Sequence, residues 1–420
     1  MAQKIWQGRL PILMILVLCF ALRRGLFPQV INRYNLLPET SHWEKSVDGW
    51  LDIAKTFALG KGYQYPSGRK SAKRGPVYPV FLASILWLFG LEKGLPIALT
   101  MQMVLESVTC FIIWKTAGKL FGCQYTGLLA AFLWAIYAPA MVLNLSFYSE
   151  PLFTLLLCLF SLHMLFIKEN LHRLNFFSGG VLLGLTVLCR PITLFFPLVL
   201  LPVLIFHFRK QLKAILLGSF WFSFGFCLML SPWAIRNYRM FKVFVPSSTM
   251  LGHIWYYNQI EGEDLPGDRF FQAEGNLIAP REYFDGADFS KKNEAEKDRM
   301  LRRAAWELIK SNPYRYLIVC LKRLKIIWLN LGSPHTPFLR RYLVLIFNAP
   351  LILLFLSSFI FWGNRMNFIC VIPLLLILYN TAGHMLVQAS WRYNIPIMPY
   401  VLIFSAYSMV GRRRKLWPEN

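Results

Sequence analysis

Apolar residues recur along this chain in runs of about 15–22 residues, separated by short polar stretches. A run of that length suits a helix that crosses a bilayer, because every backbone N–H and C=O must be satisfied within the segment itself. The pattern predicts spans near 10–27, 95–114, 125–144, 150–167, 176–189, 191–207, 213–231, 343–362, 367–386 and 394–410. The expected fold is an all-α polytopic membrane protein of about ten spans. The two short runs on either side of Arg190-Pro191 read either as two short spans meeting at one face or as a single broken one. The apolar run Val77 to Phe89 is short for a span and follows Pro76, so it is expected as an interfacial helix.

Lysines and arginines fix the orientation. Lys115 and Lys119, Lys168 and Arg173, Arg209, Lys210 and Lys213, Arg365, and Arg412 to Lys415 all fall on one side if the N-terminus is cytoplasmic. The C-terminus is then cytoplasmic as well. Three regions follow: an N-terminal core over 1–231 that includes a first exterior loop at 28–94, a larger exterior loop at 232–340, and C-terminal spans with a basic tail over 341–420.

The first exterior loop opens with Ser41 and Glu44 spaced as a capping box, and Gly60 and Gly62 close the helix this predicts. Trp43, Val47, Trp50, Ala54 and Phe57 form its apolar face, expected to lie flat on the membrane. Glu44, Asp48 and Asp52 recur every four residues and would make one acidic stripe. A basic cluster follows, at Arg69, Lys70, Lys73 and Arg74. In the second loop, 258–298 is polar and rich in glycine and charge. A helical stretch follows at Asn293 to Lys310, then a basic apolar run at Tyr314 to Leu331 that reads as interfacial.

Composition narrows the picture. Of 420 residues 56% are hydrophobic and the mean hydropathy is +0.44, too apolar for a soluble domain. The net charge of +24 does not point to nucleic acid, because the basic residues sit in short loops between apolar runs, where they set topology and meet anionic headgroups. The eight cysteines form no CxxC pair and the seven histidines show no metal-ligand spacing, so neither a metal nor a cofactor is expected. The first apolar run has Lys4 and Arg9 before it and no small-residue cleavage site, so it reads as an uncleaved span.

The acidic residues are few and unevenly placed. Twelve of 21 lie between Glu261 and Glu307, and four of the other nine between Glu39 and Asp52. A carboxylate at the hydrocarbon boundary is costly without a partner or a function. Asp48 is the favoured general base, with Glu44 and Asp52 as rivals and with the solvated face of an amphipathic helix as the plainer reading. Glu150 opens a span, either as an acid stabilising a helix N-terminus or as an active-site acid. Glu106 lies within a span and is expected to pair inside the bundle. Arg190, Arg236 and Arg392 sit at outer span ends, against the positive-inside bias. With Lys73 and Arg74 they favour an anionic ligand at that face.

The order of motifs then resembles a known family. It runs DGWLDIAKTFALGKGY (Asp48 to Tyr63), KRGPVYPVFLA (Lys73 to Ala83), SEPLF (Ser149 to Phe153) and GVLLGLTVLCRP (Gly180 to Pro191). PWAIRNYRMFKVFVPSST (Pro232 to Thr249), SNPYRYL (Ser311 to Leu317) and RYNIPIMPY (Arg392 to Tyr400) complete it. This series resembles the GT-C glycosyltransferases of the protein-mannosyltransferase and aminoarabinose-transferase type. The resemblance implies a GT-C bundle using a polyprenyl-phosphate-linked sugar on the outer face of a bacterial or archaeal cell membrane. A lipid, glycan or protein hydroxyl would be the acceptor, and transfer would go with inversion. It implies Asp48 as base on that hydroxyl, Lys73, Arg74, Arg236 and Arg392 facing the donor phosphate, and Glu150 as the acid opening the later span, with Arg190 expected beside them from its place at a span end. Tyr63, Tyr78, Asn237 and Tyr393 lie in the same motifs and are expected to line the substrate pocket. The chain departs from the family where Gly49 follows Asp48 in place of a second acid, and where GPVYP stands for the PPL-type element. A transporter or flippase for an anionic lipid is the competing class. It would place charge at the midplane and show repeats among its spans, and neither is evident.

Overall fold

The computed structural model describes residues 2–26, 28–29, 48–167, 171–260, 292–331, 338–362 and 370–414. Helix α1 (Ala2–Ala21) ends in a π-helical turn (Leu22–Leu26). The short α2 (Trp50–Ala58) and the long α3 (Val77–Phe121) follow, then α4 (Gln124–Ala135) and α5 (Ala138–Leu143). The helices α6 (Glu150–Ile167), α7 (Arg173–Cys189), α8 (Phe196–His207) and α9 (Leu212–Phe241) complete the first half. Then come α10 (Leu251–Ile260), α11 (Glu294–Ser311), α12 (Pro313–Leu329), α13 (Phe338–Trp362), α14 (Val371–Val387) and α15 (Met398–Arg414).

The apolar runs predict these helices well, and the structure refines where they break. Among the described residues four helical stretches are long and apolar enough to cross a membrane: Val77–Phe121, Glu150–Ile167, Arg209–Phe241 and Tyr342–Ile360. Four shorter apolar helices, Arg173–Cys189, Pro191–His207, Val371–Val387 and Ile395–Val410, stand beside them. The run expected as one span at 125–144 is two helices, because Ala135 ends α4 and α5 starts after Tyr137. The run expected as a separate helix at 77–89 joins the following span at Gly90, whose φ of 75° and ψ of 166° interrupt the helix. At Arg190-Pro191 two helices meet through a 3-10 turn (Pro191–Phe195). Helix α9 runs on to Phe241, so the expected start of the second exterior loop at 232 falls within a helix.

Close packing of α7 on α9 depends on residues without side chains. A Cβ on Gly180 would lie 2.0 Å from the Phe222 carbonyl oxygen, and one on Gly225 would lie 2.3 Å from that of Phe177. Small residues at such crossings let two backbones approach where no hydrophobic effect drives the helices together. The pairing partner of Glu106 is Arg23, whose Nη2 lies 3.6 Å from Glu106 Oε2. Arg23 also donates to the carbonyls of Ala135 at 2.9 Å and Trp134 at 3.2 Å, so it caps the C-terminus of α4. One buried guanidinium thereby ties α1, α3 and α4 together.

The first exterior loop differs from the expected stripe. Ser41, Trp43, Glu44 and Val47 lie outside the described residues. The described helix begins at Trp50, after Gly49 at φ 72°, so Asp48 precedes it and does not share its face with Asp52. Trp50, Leu51, Ile53 and Ala54 are buried. They face the protein rather than the membrane surface, with the Trp50 ring edge-on to Tyr78 of α3 at 5.6 Å. The helix ends as the glycines predict: Gly60 and Gly62 have φ of 73° and 84°, and the amides of Gly60 and Lys61 donate back to Phe57 and Thr56.

Candidate active site

Four distant segments deliver the site. Asp48 is placed by Gly49, which only a residue tolerant of positive φ suits, and a Cβ there would come within 3.0 Å of the Tyr65 ring. Glu150 is the first residue of α6. Arg190 ends α7 in extended backbone, as a residue before proline prefers. Arg392 sits in the turn before the 3-10 segment Ile395–Ile397, held where Asn380 Nδ2 donates to the Tyr393 carbonyl at 2.9 Å.

These segments converge on one ionic cluster. Arg392 grips Asp48 with both terminal nitrogens, Nη1 to Oδ2 at 3.0 Å and Nη2 to Oδ1 at 3.3 Å. Arg74 donates from Nε to the Asp48 carbonyl at 2.8 Å and brings Nη2 to 3.9 Å from Oδ1. Arg190 Nη1 lies 2.5 Å from Glu150 Oε1 and 3.3 Å from Ser149 Oγ. Arg392 Nε lies 3.6 Å from the same Glu150 oxygen. Neither Glu150 oxygen is hydrogen-bonded, so the Arg190 contact is close but poorly aligned. Asp48 and Glu150 are 5% and 0% exposed, whereas the side chains of Arg74 and Arg190 keep 13% and 15%, so the cluster reaches solvent through its cations. Among the described residues three guanidiniums face two carboxylates.

Aromatic rings set the cations. Arg392 lies over Tyr148 at 5.0 Å and Tyr393 at 5.7 Å, Arg190 over Tyr393 at 5.4 Å, and Arg74 over Trp50 at 5.2 Å. Tyr393 donates to Gln388 Oε1 at 3.0 Å and stacks on His384 with centroids 4.3 Å apart. Burial pushes the Asp48 carboxyl up, but Arg392 and Arg74 outweigh it and hold it at about 2.

The remaining expected residues shape the loop beneath the cluster. Tyr63 donates to the Arg74 and Gly75 carbonyls at 2.9 and 3.0 Å. Gly75 lies so close to α7 that a Cβ would be 2.1 Å from the Leu188 carbonyl oxygen, which seats Arg74 against that helix end. Arg236 is placed away from the cluster and clamps the loop, donating to the carbonyls of Ser71 at 2.9 Å and Tyr63 at 3.2 Å while lying over Trp233 at 4.5 Å. Asn237 donates to the Val245 carbonyl at 3.0 Å. Tyr78 is fully buried and hydrogen-bonded to Gln102, so it supports Trp50 from behind. The Lys73 carbonyl accepts from Ser248 at 2.7 Å. Burial first, then the charges of Lys73 and Arg74, push the nearby His253 down to about 4. Asp52 is half-buried in the first turn of α2, and Glu44 lies outside the described residues.

Glu294 escapes the sequence reading. Its carboxylate accepts from Ser71 Oγ at 2.8 Å, from the Ala72 amide at 2.9 Å and from Thr249, and so joins the 71–75 loop to α11. Nothing in its local pattern marks it, because the helix-start signal belongs to Asn293 and Glu296, which do form a capping box. Among the described residues no group of three or more His, Cys, Asp or Glu gathers as a metal site would require, and Arg392 fills the space between Asp48 and Glu150.

The fold is that of the GT-C membrane glycosyltransferases. An archaeal oligosaccharyltransferase, AglB from Archaeoglobus fulgidus solved with an inhibitory peptide and a dolichol-phosphate, superposes with a TM-score of 0.60 at 13% identity, over 98% of this chain and 51% of that one. The same enzyme tethered to an acceptor peptide containing the NVT sequon gives 0.59 at 13% identity, over 98% and 50%. This chain therefore spans about half the length of those enzymes. ArnT from Cupriavidus metallidurans in the apo state gives a TM-score of 0.36 at 12% identity, over 88% of this chain and 73% of that one. Residues 73–235 match the sequence pattern of the dolichyl-phosphate-mannose-protein mannosyltransferase family. No curated protein sequence matches the chain.

Proposed function

We propose that this protein is a membrane glycosyltransferase that moves a sugar from a polyprenyl-phosphate carrier to an acceptor hydroxyl on the extracytoplasmic face, with inversion. The observation that carries the reading is the cluster of Arg74, Arg190 and Arg392 around a nearly buried Asp48. A sugar phosphate is already activated at its anomeric carbon. The protein needs a base for the acceptor and positive charge where the leaving phosphate develops its own. In the proposed step Asp48 takes the hydroxyl proton as the acceptor oxygen bonds to the anomeric carbon. The bond from that carbon to the phosphate oxygen breaks, and the electron pair leaves with the polyprenyl phosphate.

The fold match and the matched family segment support this class, and the dolichol-phosphate in the archaeal neighbour supports a lipid phosphate as the carrier. Mass spectrometry of envelope lipids, glycans and surface proteins from cells with wild-type protein, with Asp48→Asn and without the chain tests the reading. The expected result is one glycosylated product, made by the wild type alone. Unchanged glycosylation combined with a lipid retained in one leaflet would instead mark a flippase and end this reading.

A further inference from the structure

We infer that Arg392 is a latch on the base: it holds Asp48, and the lipid phosphate of the donor must displace Asp48 from Arg392 before Asp48 can work, so donor binds before acceptor. This rests on the proposed glycosyl transfer. Asp48 occupies the end-on edge of Arg392, Nη1 and Nη2, at 3.0 and 3.3 Å. Its Nε is turned to Glu150 at 3.6 Å. A phosphate seeking the same bidentate grip therefore meets a guanidinium whose end-on edge is already filled. The carboxylate is equally engaged: each of its oxygens faces one Arg392 nitrogen, and Arg74 stands beside Oδ1. An acceptor hydroxyl finds no carboxylate oxygen clear of cations.

A single exchange resolves both conflicts. When phosphate oxygens replace the Asp48 oxygens on the Nη1/Nη2 edge, the guanidinium exchanges one singly charged partner for another, the donor's phosphodiester, and the carboxylate is released. The rings of Tyr148 and Tyr393 beneath Arg392 keep the guanidinium in place through the exchange. Glu150 holds its Nε side, and Arg190 and Arg74 bring the further positive charge that offsets the added phosphate. Among the described residues, Tyr78 and Tyr393 are further titratable side chains whose charge couples to Asp48. Both stay neutral through the exchange.

The test uses the full-length protein in lipid nanodiscs and a hydrophobic carbodiimide, which modifies carboxyl groups that can take up a proton. Modification of Asp48 is read by peptide mass spectrometry, without ligand, with polyprenyl phosphate and with the matching polyprenol. Binding of the polyprenyl phosphate is followed in parallel by native mass spectrometry. Loss of one guanidinium partner raises a carboxyl pKa by a unit or more, so modification should rise by at least about tenfold with the phosphate. The polyprenol should leave it unchanged. Arg392→Gln should be modified at the higher rate without ligand, and the wild-type comparison stands by itself if that variant does not fold. Rapid modification of unliganded wild type overturns the latch, as does phosphate binding without a rise. Failure of polyprenyl phosphate to bind at all overturns the donor assignment, and the latch with it.

Discussion

Replacing Asp48 by asparagine separates the chemical role of this residue from its structural one. The amide keeps the size of the side chain and can accept one of the two hydrogen bonds that Arg392 donates at 3.0 and 3.3 Å. Its NH2 group then faces the other guanidinium nitrogen, and the cluster of Arg74, Arg190 and Arg392 retains Glu150 as its carboxylate. Losing one hydrogen bond to a charged group should lower stability by about 1.5–3 kcal/mol, well short of unfolding a domain of ordinary stability. Removing a positioned general base should lower kcat by about 10²- to 10⁴-fold. The donor should bind at least as well as before, because Arg392 is no longer held by a charge. The assay is single-turnover transfer in nanodiscs alongside thermal unfolding of the same preparation. A folded Asp48→Asn protein whose kcat lies within about threefold of wild type would refute the assignment, since the base term alone is worth more. Asp52→Asn is the matched comparison: Asp52 lies in the first turn of α2, and loss of kcat there with retention in Asp48→Asn would move the base to Asp52.

Other perturbations follow from the same contacts. Arg23→Met leaves Glu106 buried without its cation and should cost about 3–5 kcal/mol by thermal unfolding, with the double change Arg23→Met/Glu106→Gln recovering most of the loss. No recovery in the double variant would show that the α4 cap, not the ion pair, dominates. Gly75→Ala forces a methyl group against the Leu188 carbonyl and should cost about 1–3 kcal/mol while moving Arg74, so transfer should fall more than stability does. Glu294→Gln should keep the fold but loosen the 71–75 loop, read as faster amide exchange at Ala72 and a raised donor KM. Asp48 has a folded-state pKa of about 2, below the ordinary 3.8, so its ion pairs contribute about 2 kcal/mol above the ordinary value. That contribution is lost as pH falls through 2. Acid unfolding followed between pH 4 and pH 2 should therefore show a steeper loss in wild type than in Asp48→Asn.

Local pattern made the helices legible and left the pairings hidden. Apolar runs locate the spans because hydrocarbon imposes one requirement on every residue of a segment. The break at Gly90 and the 3-10 joint after Arg190 are legible for a similar reason, since glycine and proline act on their own backbone. The acid stripe of the first loop misleads because its period of four assumes an unbroken helix, and Gly49 at φ 72° ends that assumption beside Asp48. Arg236 has the same type and the same expected position at a span end as Arg190 and Arg392, yet it holds backbone carbonyls of the loop. What separates these arginines is which carbonyl or carboxylate the fold brings near. Residue type and span position do not encode that. The partner of Glu106 was hidden for the same reason: Arg23 lies 83 positions away and reads locally as a flank of the first span.

The site's dispersal along the chain has a physical consequence. Asp48 and Arg392 lie 344 residues apart, and Glu150 and Arg190 belong to two further helices. Before the bundle assembles each charge is solvated on its own segment, and no local peptide can collect them. Assembly must then bury two carboxylates, and an unpaired buried charge is too costly to survive it. The arginines proposed to meet an anionic substrate therefore also make the folded site possible, since they neutralise Asp48 and Glu150. A cluster built on exact neutrality would be more stable still, but it would have nothing left to attract a phosphate. Among the described residues three guanidiniums meet two carboxylates, with Arg74 and Arg190 partly exposed, which is a balance between a site that folds and a site that draws an anion.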